Sequence, residues 1–397
     1  MFFKSLNLAK AYFTPYGVGL GHASRMMMLA ERLRDSDVSI RFSSFGEGAR
    51  YISLQGYECM AVPPVEFAWS VEGGFSVKHS ISNIPLWFTN FPRQLRDEIS
   101  NMIKYDPNVV VSDTRLSSLA ASKILNIPSV VILNQVKLLL SPRLREFKIS
   151  RIWEKMNGEF LGLLWRIADR ILIPDLPPPY TIAEENIWET NSVMKKIEYV
   201  GFTAPKSIIA EAQLRKVAAH LGIDRSKPIV FIHVSGPLKT RIPIIRTFIE
   251  ACKSLRPEIQ YVVSEGRPDG DIQPKKITRL GWYYEWCPIR DELFAMCDVL
   301  VLRGGHTAIS QAIQFGKPLI TIPIENHSEQ LGNSNKVAKI GIGIKLEANQ
   351  LKANHVSYAI HQILDDNRFE QKAKELMRLT ERLDGINNIV KIVRSYF

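Results

Sequence analysis

Cysteine is scarce in this chain. There are four, Cys59, Cys252, Cys287 and Cys297, among 397 residues, and no two form a CxxC pair. Cys287 and Cys297 lie ten apart with no histidine at metal-ligand spacing. The pattern excludes a disulfide scaffold and reads as free thiols in a reducing compartment. No apolar run reaches the ~18 residues that a membrane-spanning helix needs. Met1 to Phe13 is too short, and too polar in its middle, for a secretory leader. The expected location is therefore the cytoplasm, either free or on the inner face of the cell membrane. Internal repeats and low-complexity segments are also missing.

What is present is an ordinary globular composition, 46% apolar and 23% charged. The length suits two domains. Lys plus Arg number 51 against 40 Asp plus Glu, a net charge of +11. That moderate excess suits a diphosphate ligand, an anionic membrane surface or nucleic acid. The basic residues are spread out, with no recognisable reading helix or aromatic platform, which argues against nucleic acid.

The most informative stretch runs from Trp286 to Gln330. Its pattern is helix, strand, a basic Gly-Gly turn, helix, buried strand and polar loop, which makes a βαβ unit. The turn is Arg303-Gly304-Gly305-His306-Thr307. Free backbone N–H groups and the positive end of a helix dipole meet there, a combination that suits phosphate. The glycines let the backbone approach a ligand, and Arg303 and His306 add positive charge. The plain alternative is a turn and nothing more.

Earlier in the chain, a strand at Lys10 to Thr14 ends in the glycine loop Pro15 to His22, with Gly21 and His22 opening a helix. This could be a dinucleotide loop, but the next strand, Val38 to Ser44, ends in Ser43-Ser44-Phe45-Gly46 without the acidic residue that reading requires. The strand at 107–113 ends in Asp113, at the edge where ligands bind in open α/β sheets. Asp113 is read equally well as a helix N-cap. A loop at Pro63 to Ile81 carries Phe67, Trp69 and Phe75 before a helix from Asn83 to Tyr105, and loops of that length are usually functional. Lys137 to Arg170 interleaves apolar and aromatic residues with eight basic and four acidic ones. It reads as an interfacial helix for anionic lipid or as a core helix with snorkelling Lys and Arg. Glu198 to Phe202 reads as an interdomain linker. Ser235 and Gly236 begin a second N–H-rich turn after the strand at 227–234, with Lys239 or Arg241 as added charge, and Ile277 to Leu280 reads as a later strand.

The order Trp286-Cys287-Pro288, basic Gly turn, helix and Glu329-Gln330 resembles the donor-sugar box of the inverting GT-B glycosyltransferases, the group that includes plant UDP-glycosyltransferases and the bacterial MurG type. That resemblance implies an α/β fold of two Rossmann-like domains facing across a cleft. Residues 1–200 would bind the acceptor and 201–380 the nucleotide-sugar donor, with 381–397 a helix crossing back onto the first domain. It implies that Trp286 stacks on the base, that Arg303 to Thr307 with Ser235 and Gly236 take the diphosphate, and that Glu329 and Gln330 bind sugar hydroxyls. Gln311 stands where the family usually has a ribose-binding carboxylate, a departure that leaves the nucleotide open. His22 would be the general base, with Asp113 fixing its tautomer. The expected reaction is metal-independent transfer of a sugar, N-acetylglucosamine as best guess, from a UDP-sugar to an acceptor hydroxyl. UDP-sugar enters as substrate and no cofactor is expected, because no paired carboxylates stand at the diphosphate turn. The acceptor would be a lipid-linked saccharide, with peripheral contact on an anionic membrane as in the MurG type. The alternatives are a UDP-N-acetylglucosamine 2-epimerase of the same fold, with Glu265 and Asp113 as its acid–base carboxylates, and a non-catalytic nucleotide-sugar binding protein.

Overall fold

The computed structural model describes residues 8–18, 20–34, 38–65, 77–204, 208–234, 238–267 and 269–397. Seven strands form a first sheet: β1 (Lys10–Pro15), β2 (Ser39–Ser44), β3 (Cys59–Ala61), β4 (Val109–Asp113), β5 (Ser129–Ile132), β6 (Arg170–Ile173) and β7 (Ile197–Tyr199). Their order is β3-β2-β1-β4-β5-β6-β7, with every neighbouring pair parallel. Parallel strands covered by helices on both faces read as unbroken apolar runs. In β4, Val109 and Val111 join Met26 and Leu29 in one core, while Val110 joins Tyr12 and Met102 in another.

A second sheet contains β8 (Ile229–His233), β9 (Gln260–Ser264), β10 (Lys275–Thr278), β11 (Gly281–Tyr284), β12 (Val299–Leu302), β13 (Leu319–Thr321) and β14 (Gly343–Lys345). Its order is β10-β11-β9-β8-β12-β13-β14, parallel except for the edge pair β10 and β11. In each sheet the chain leaves two adjacent strands in opposite directions: β1 and β4 in the first, β8 and β12 in the second. A crevice opens past the carboxyl ends of such a pair. The register places Pro15 beside Asp113 and Leu302 beside His233. The loop to His22 therefore shares one crevice with Asp113, and the Arg303 turn opens the other.

Several boundaries differ from the sequence reading. The Glu198 to Phe202 segment is a linker only in its second half, because Ile197–Tyr199 pairs with β6 as the sheet's edge strand. A three-residue edge strand is too short to show alternation. The Asn83 helix begins at Val77, which shortens the loop before it. Of that loop, residues 66–76, with Phe67, Trp69 and Phe75, lie outside the described residues. The Ile277 to Leu280 strand is an antiparallel hairpin of β10 and β11 instead. The helix Gly385–Arg394 returns to the first domain, where Ile389, Val390 and Val393 share a core with Ala11, Met26 and Leu33. Gly385 meets Gly201 there so closely that a Cβ on it would overlap the carbonyls of Gly201 and Phe202.

The basic-apolar stretch forms a helix, Lys148–Trp165, whose orientation overturns its core-helix reading. The buried face is Ser150, Glu154, Gly158, Gly162 and Trp165. Gly158 and Gly162 bring it close to Lys137, Thr190 and Ser192. The large apolar side chains Ile149, Ile152, Trp153, Met156, Phe160 and Leu163 face outward and are exposed.

Candidate functional site

The helix Leu20–Arg34 begins where the glycine loop leaves β1, so His22 lies in its first turn, at the first crevice. His22 Nδ1 is 2.7 Å from Asp113 Oδ1. Asp113 is fully buried, and a carboxylate only accepts, so Nδ1 carries a proton, and in the neutral ring Nε2 is the basic nitrogen. The other carboxylate oxygen takes two bonds from Arg25, from Nε at 2.9 Å and Nη2 at 2.7 Å. Arg25 Nη1 donates to Asn134 Oδ1 at 2.9 Å. Burial alone would raise the Asp113 carboxyl, but Arg25 and His22 hold it below the usual carboxylate range. Thr114, next along, has φ of +60° and donates its hydroxyl to Asp113 Oδ1 at 3.1 Å. A β-branched residue in that conformation is an outlier held by its surroundings. The N-cap of the following helix is Arg115, so the helix-cap reading of Asp113 does not hold.

The sequence reading missed Arg25 and Asn134. Arg25 was detectable, since it sits three residues after His22 on the same helix face. Asn134 follows β5 and carried no signal.

In the second domain, β12 ends at the Arg303 turn. Arg303 is buried, and its Nε and Nη1 have no hydrogen-bond partner among the described residues. Burial pulls its pKa down to about 10. A buried cation without a counter-ion is costly unless a ligand supplies the anion. Gly305 is the N-cap of the helix His306–Gln314, with no side chain capping it, and a Cβ there would meet nothing within 4 Å. Gly304 departs from the sequence reading. A Cβ on Gly304 would overlap the Gln330 carbonyl and crowd Ser334 Oγ, so its missing side chain admits the helix Ser328–Lys339. Gly304→Ala is expected to lower stability by about 1–3 kcal/mol in urea unfolding, whereas Gly305→Ala leaves it within about 0.5 kcal/mol. Equal effects would show that the two glycines are not divided in this way.

Three other expected donor residues are partly committed within the protein. His306 is buried, with Nε2 3.0 Å from Asp175 Oδ2 in the loop after β6, and so ties the two domains together. The partners are 131 positions apart, so no local pattern could reveal them. Gln311 donates to Asp291 Oδ1 at 3.1 Å, which places a carboxylate beside the amide. Gln330 accepts from the Ile324 N–H at 3.0 Å and closes its own loop. Thr307 lines a cavity of about 60 Å³ between the domains, with Gly21, Ser24, Arg25, Thr203, His306 and others. The two helix N-termini thus face each other across the cleft. Trp286 follows β11 and stays 39% exposed. Glu329 is part-exposed at the start of its helix, near His327. Ser235 and Gly236 lie outside the described residues. Arg241 is buried and donates to the carbonyls of Glu265 and Gly266. Glu265, the other carboxylate of the epimerase reading, is buried with the Tyr283 hydroxyl donating to it. Burial pushes the thiols of Cys287 and Cys297 up to about 12, so neither is reactive. Among the described residues no group of three or more His, Cys, Asp or Glu could hold a metal ion.

Comparison with known proteins finds similarity to glycosyltransferases. A sequence model of the glycosyltransferase family 28 C-terminal domain matches residues 245–389. An "uncharacterized glycosyltransferase" of Methanosarcina acetivorans is 27% identical over 388 residues, covering 96% of each chain. A relative of the same description from Methanosarcina mazei is 27% identical over 376 residues, covering 93% of each. Among solved structures, the glycotransferase of kitacinnamycin superposes with a TM-score of 0.71 at 15% identity, over 98% of this chain and 99% of that one. Spinosyn rhamnosyltransferase SpnG complexed with thymidine diphosphate has a TM-score of 0.66 at 16% identity, over 97% and 100%. The architecture of two parallel α/β domains is GT-B.

Proposed function

We propose that this chain, a glycosyltransferase of GT-B fold, moves a sugar from a nucleoside diphosphate sugar to an acceptor hydroxyl with inversion and without a metal ion. The observation that carries the reading is the facing of two halves: the His22–Asp113 pair on the first domain and the buried Arg303 with the uncapped Gly305 turn on the second. As the diphosphate leaves, Arg303, the backbone amides and the helix dipole stabilise its developing charge. These fixed positive groups do the work a divalent cation would do. His22 Nε2 takes the acceptor proton, and Asp113 stabilises the imidazolium. The exposed Trp286 is the stacking face for the base. UDP is the preferred nucleotide and N-acetylglucosamine the preferred sugar, both on the resemblance to the MurG type. The solved neighbour with thymidine diphosphate makes that nucleotide the first competitor.

A thermal-shift series with UDP, GDP, TDP and their sugars, with and without EDTA, tests the donor half. A ligand at ~100 times its Kd adds about 2.7 kcal/mol. Stabilisation by UDP-N-acetylglucosamine that survives EDTA is expected. Stabilisation by no nucleotide would remove the donor site.

The acceptor is read as a lipid-linked saccharide met at an anionic membrane, with the enzyme working from the cytoplasmic side. Support comes from the outward apolar stripe of the Lys148–Trp165 helix, flanked by Lys148, Arg151 and Lys155. The same segment reaches the cleft, since Arg143 pairs with Glu325 at 3.3 Å and Ser328 Oγ donates to the Leu140 carbonyl. Among the described residues no helix is long and apolar enough to cross a membrane, so the contact would be peripheral. In sedimentation with phosphatidylglycerol vesicles, the triple variant I149S/M156S/F160S is expected to bind at least ~10-fold more weakly than the parent, given about 1.5–3 kcal/mol per buried apolar side chain. Equal binding would reject the membrane face.

A further inference from the structure

We propose that Arg25 is a positioning residue for the general base, holding Asp113 by its far oxygen so that the near oxygen fixes His22 through Nδ1–H and leaves Nε2 for the acceptor. The inference rests on the function proposed above and names a residue that the family resemblance did not supply. The argument begins with the carboxylate. Asp113 is fully buried, and a lone Asp–His pair in such a place would share one negative charge with the imidazole alone. Here the charge is already matched. Arg25 approaches Oδ2 through both Nε and Nη2, two charge-assisted bonds that converge on one oxygen and hold it in place. With Oδ2 occupied, Oδ1 is left to accept from His22 and Thr114. The guanidinium is anchored in turn at Asn134, so it cannot swing away.

Two consequences follow for His22. Its ring is held in the Nδ1–H tautomer, which leaves Nε2 as a base. Its protonation would also put a second cation beside Arg25 Nη2, which lies 3.4 Å from Nδ1. Since Nδ1 is itself a donor, that contact is a charge against an N–H dipole and not a hydrogen bond. The guanidinium thus stands against a second positive charge on the ring. The other groups facing the cluster are the Tyr16 ring, 5.7 Å from the His22 ring, and His306 across the small cavity that Arg25 lines, with Asp175 behind it.

The test uses Arg25→Met and Arg25→Lys in the full chain, read in two ways. For Arg25→Met, the acidic limb of the pH–kcat profile is expected to move up by about one unit, an effect typical of one nearby charge. Arg25→Lys keeps the charge and loses the fork, so it should lower kcat with little movement of the limb. Neither substitution should lower kcat further in a His22→Ala background, since the residue acts through His22. Nitrogen NMR of His22 supplies the second reading and needs no sugar transfer. The parent should show the Nδ1–H tautomer, and its titration midpoint should rise in Arg25→Met. If that variant fails to fold, the parent's tautomer and the Arg25→Lys titration still decide the question. An Nε2–H tautomer in the parent, or unchanged titration and limb in the variants, would overturn the role of Arg25. If the chain transfers no sugar while the NMR results stand, it is the proposed function that fails.

Discussion

Replacing His22 with alanine is expected to lower kcat by about 10²–10⁴-fold, the range for a lost general base, while the donor Kd moves less than about threefold. The separation follows from the architecture. His22 stands past β1 of the first sheet, and Arg303 and Gly305, the groups proposed to take the diphosphate, stand past β12 of the second. An acceptor oxygen attacks with its proton still attached unless a base takes it, so removal of the imidazole acts on the chemical step and not on donor binding. Asp113→Asn should follow in the same direction. An amide can present an N–H where Nδ1 needs an acceptor, which favours the wrong tautomer. The checks are steady-state kinetics for turnover and calorimetry with the nucleotide for binding. Unchanged turnover with unchanged donor affinity would remove His22 from the mechanism.

Replacing Arg303 with methionine is expected to act in two opposite directions. Nucleoside diphosphate binding should weaken by about 10²-fold, the loss of charge-assisted hydrogen bonds worth roughly 1.5–3 kcal/mol each. The turnover that remains should also fall by about 10²–10³-fold, because the same group meets the leaving diphosphate. The ligand-free protein, however, should become more stable, by about 1–3 kcal/mol. Arg303 is buried, with Nε and Nη1 unbonded among the described residues and a pKa drawn down to about 10 by burial. Such a charge opposes folding until an anion arrives, and methionine of similar length removes the penalty. Unfolding in urea and nucleotide calorimetry on the same preparation measure both effects. A variant that loses stability and keeps nucleotide binding would mean that Arg303 is a structural residue with a partner in the folded protein.

The same division between helix termini and buried contacts explains which parts of the site could be read early. His22, Gly305 and Thr307 lie at points where a strand hands over to a helix, and that handover is written in local residue order: an apolar run, glycine, then a 3.6-residue period. The packing of Gly304 against the helix Ser328–Lys339 was not legible, because a glycine in a turn has the same local appearance whether it admits a ligand or a neighbouring helix. The Lys148–Trp165 helix was ambiguous for a related reason. Its period shows that it has an apolar face, but not that Gly158 and Gly162 would draw the opposite face inward.

The sequence by itself determined the class of fold, the alternation of buried strands and helices in both halves, and the two glycine-bearing turns around which the cleft is organised. Those features depend on neighbours within a few turns of the chain, where periodicity and turn chemistry operate. The tertiary structure alone decided the pairings. Asp113 reaches His22 and Arg25 across about ninety positions because β1 and β4 lie side by side in one sheet. His306 is tied to Asp175, a residue of the other domain. Which buried charge finds a partner, and which waits for a ligand, depends on packing between segments far apart in the chain, and no local pattern encodes it.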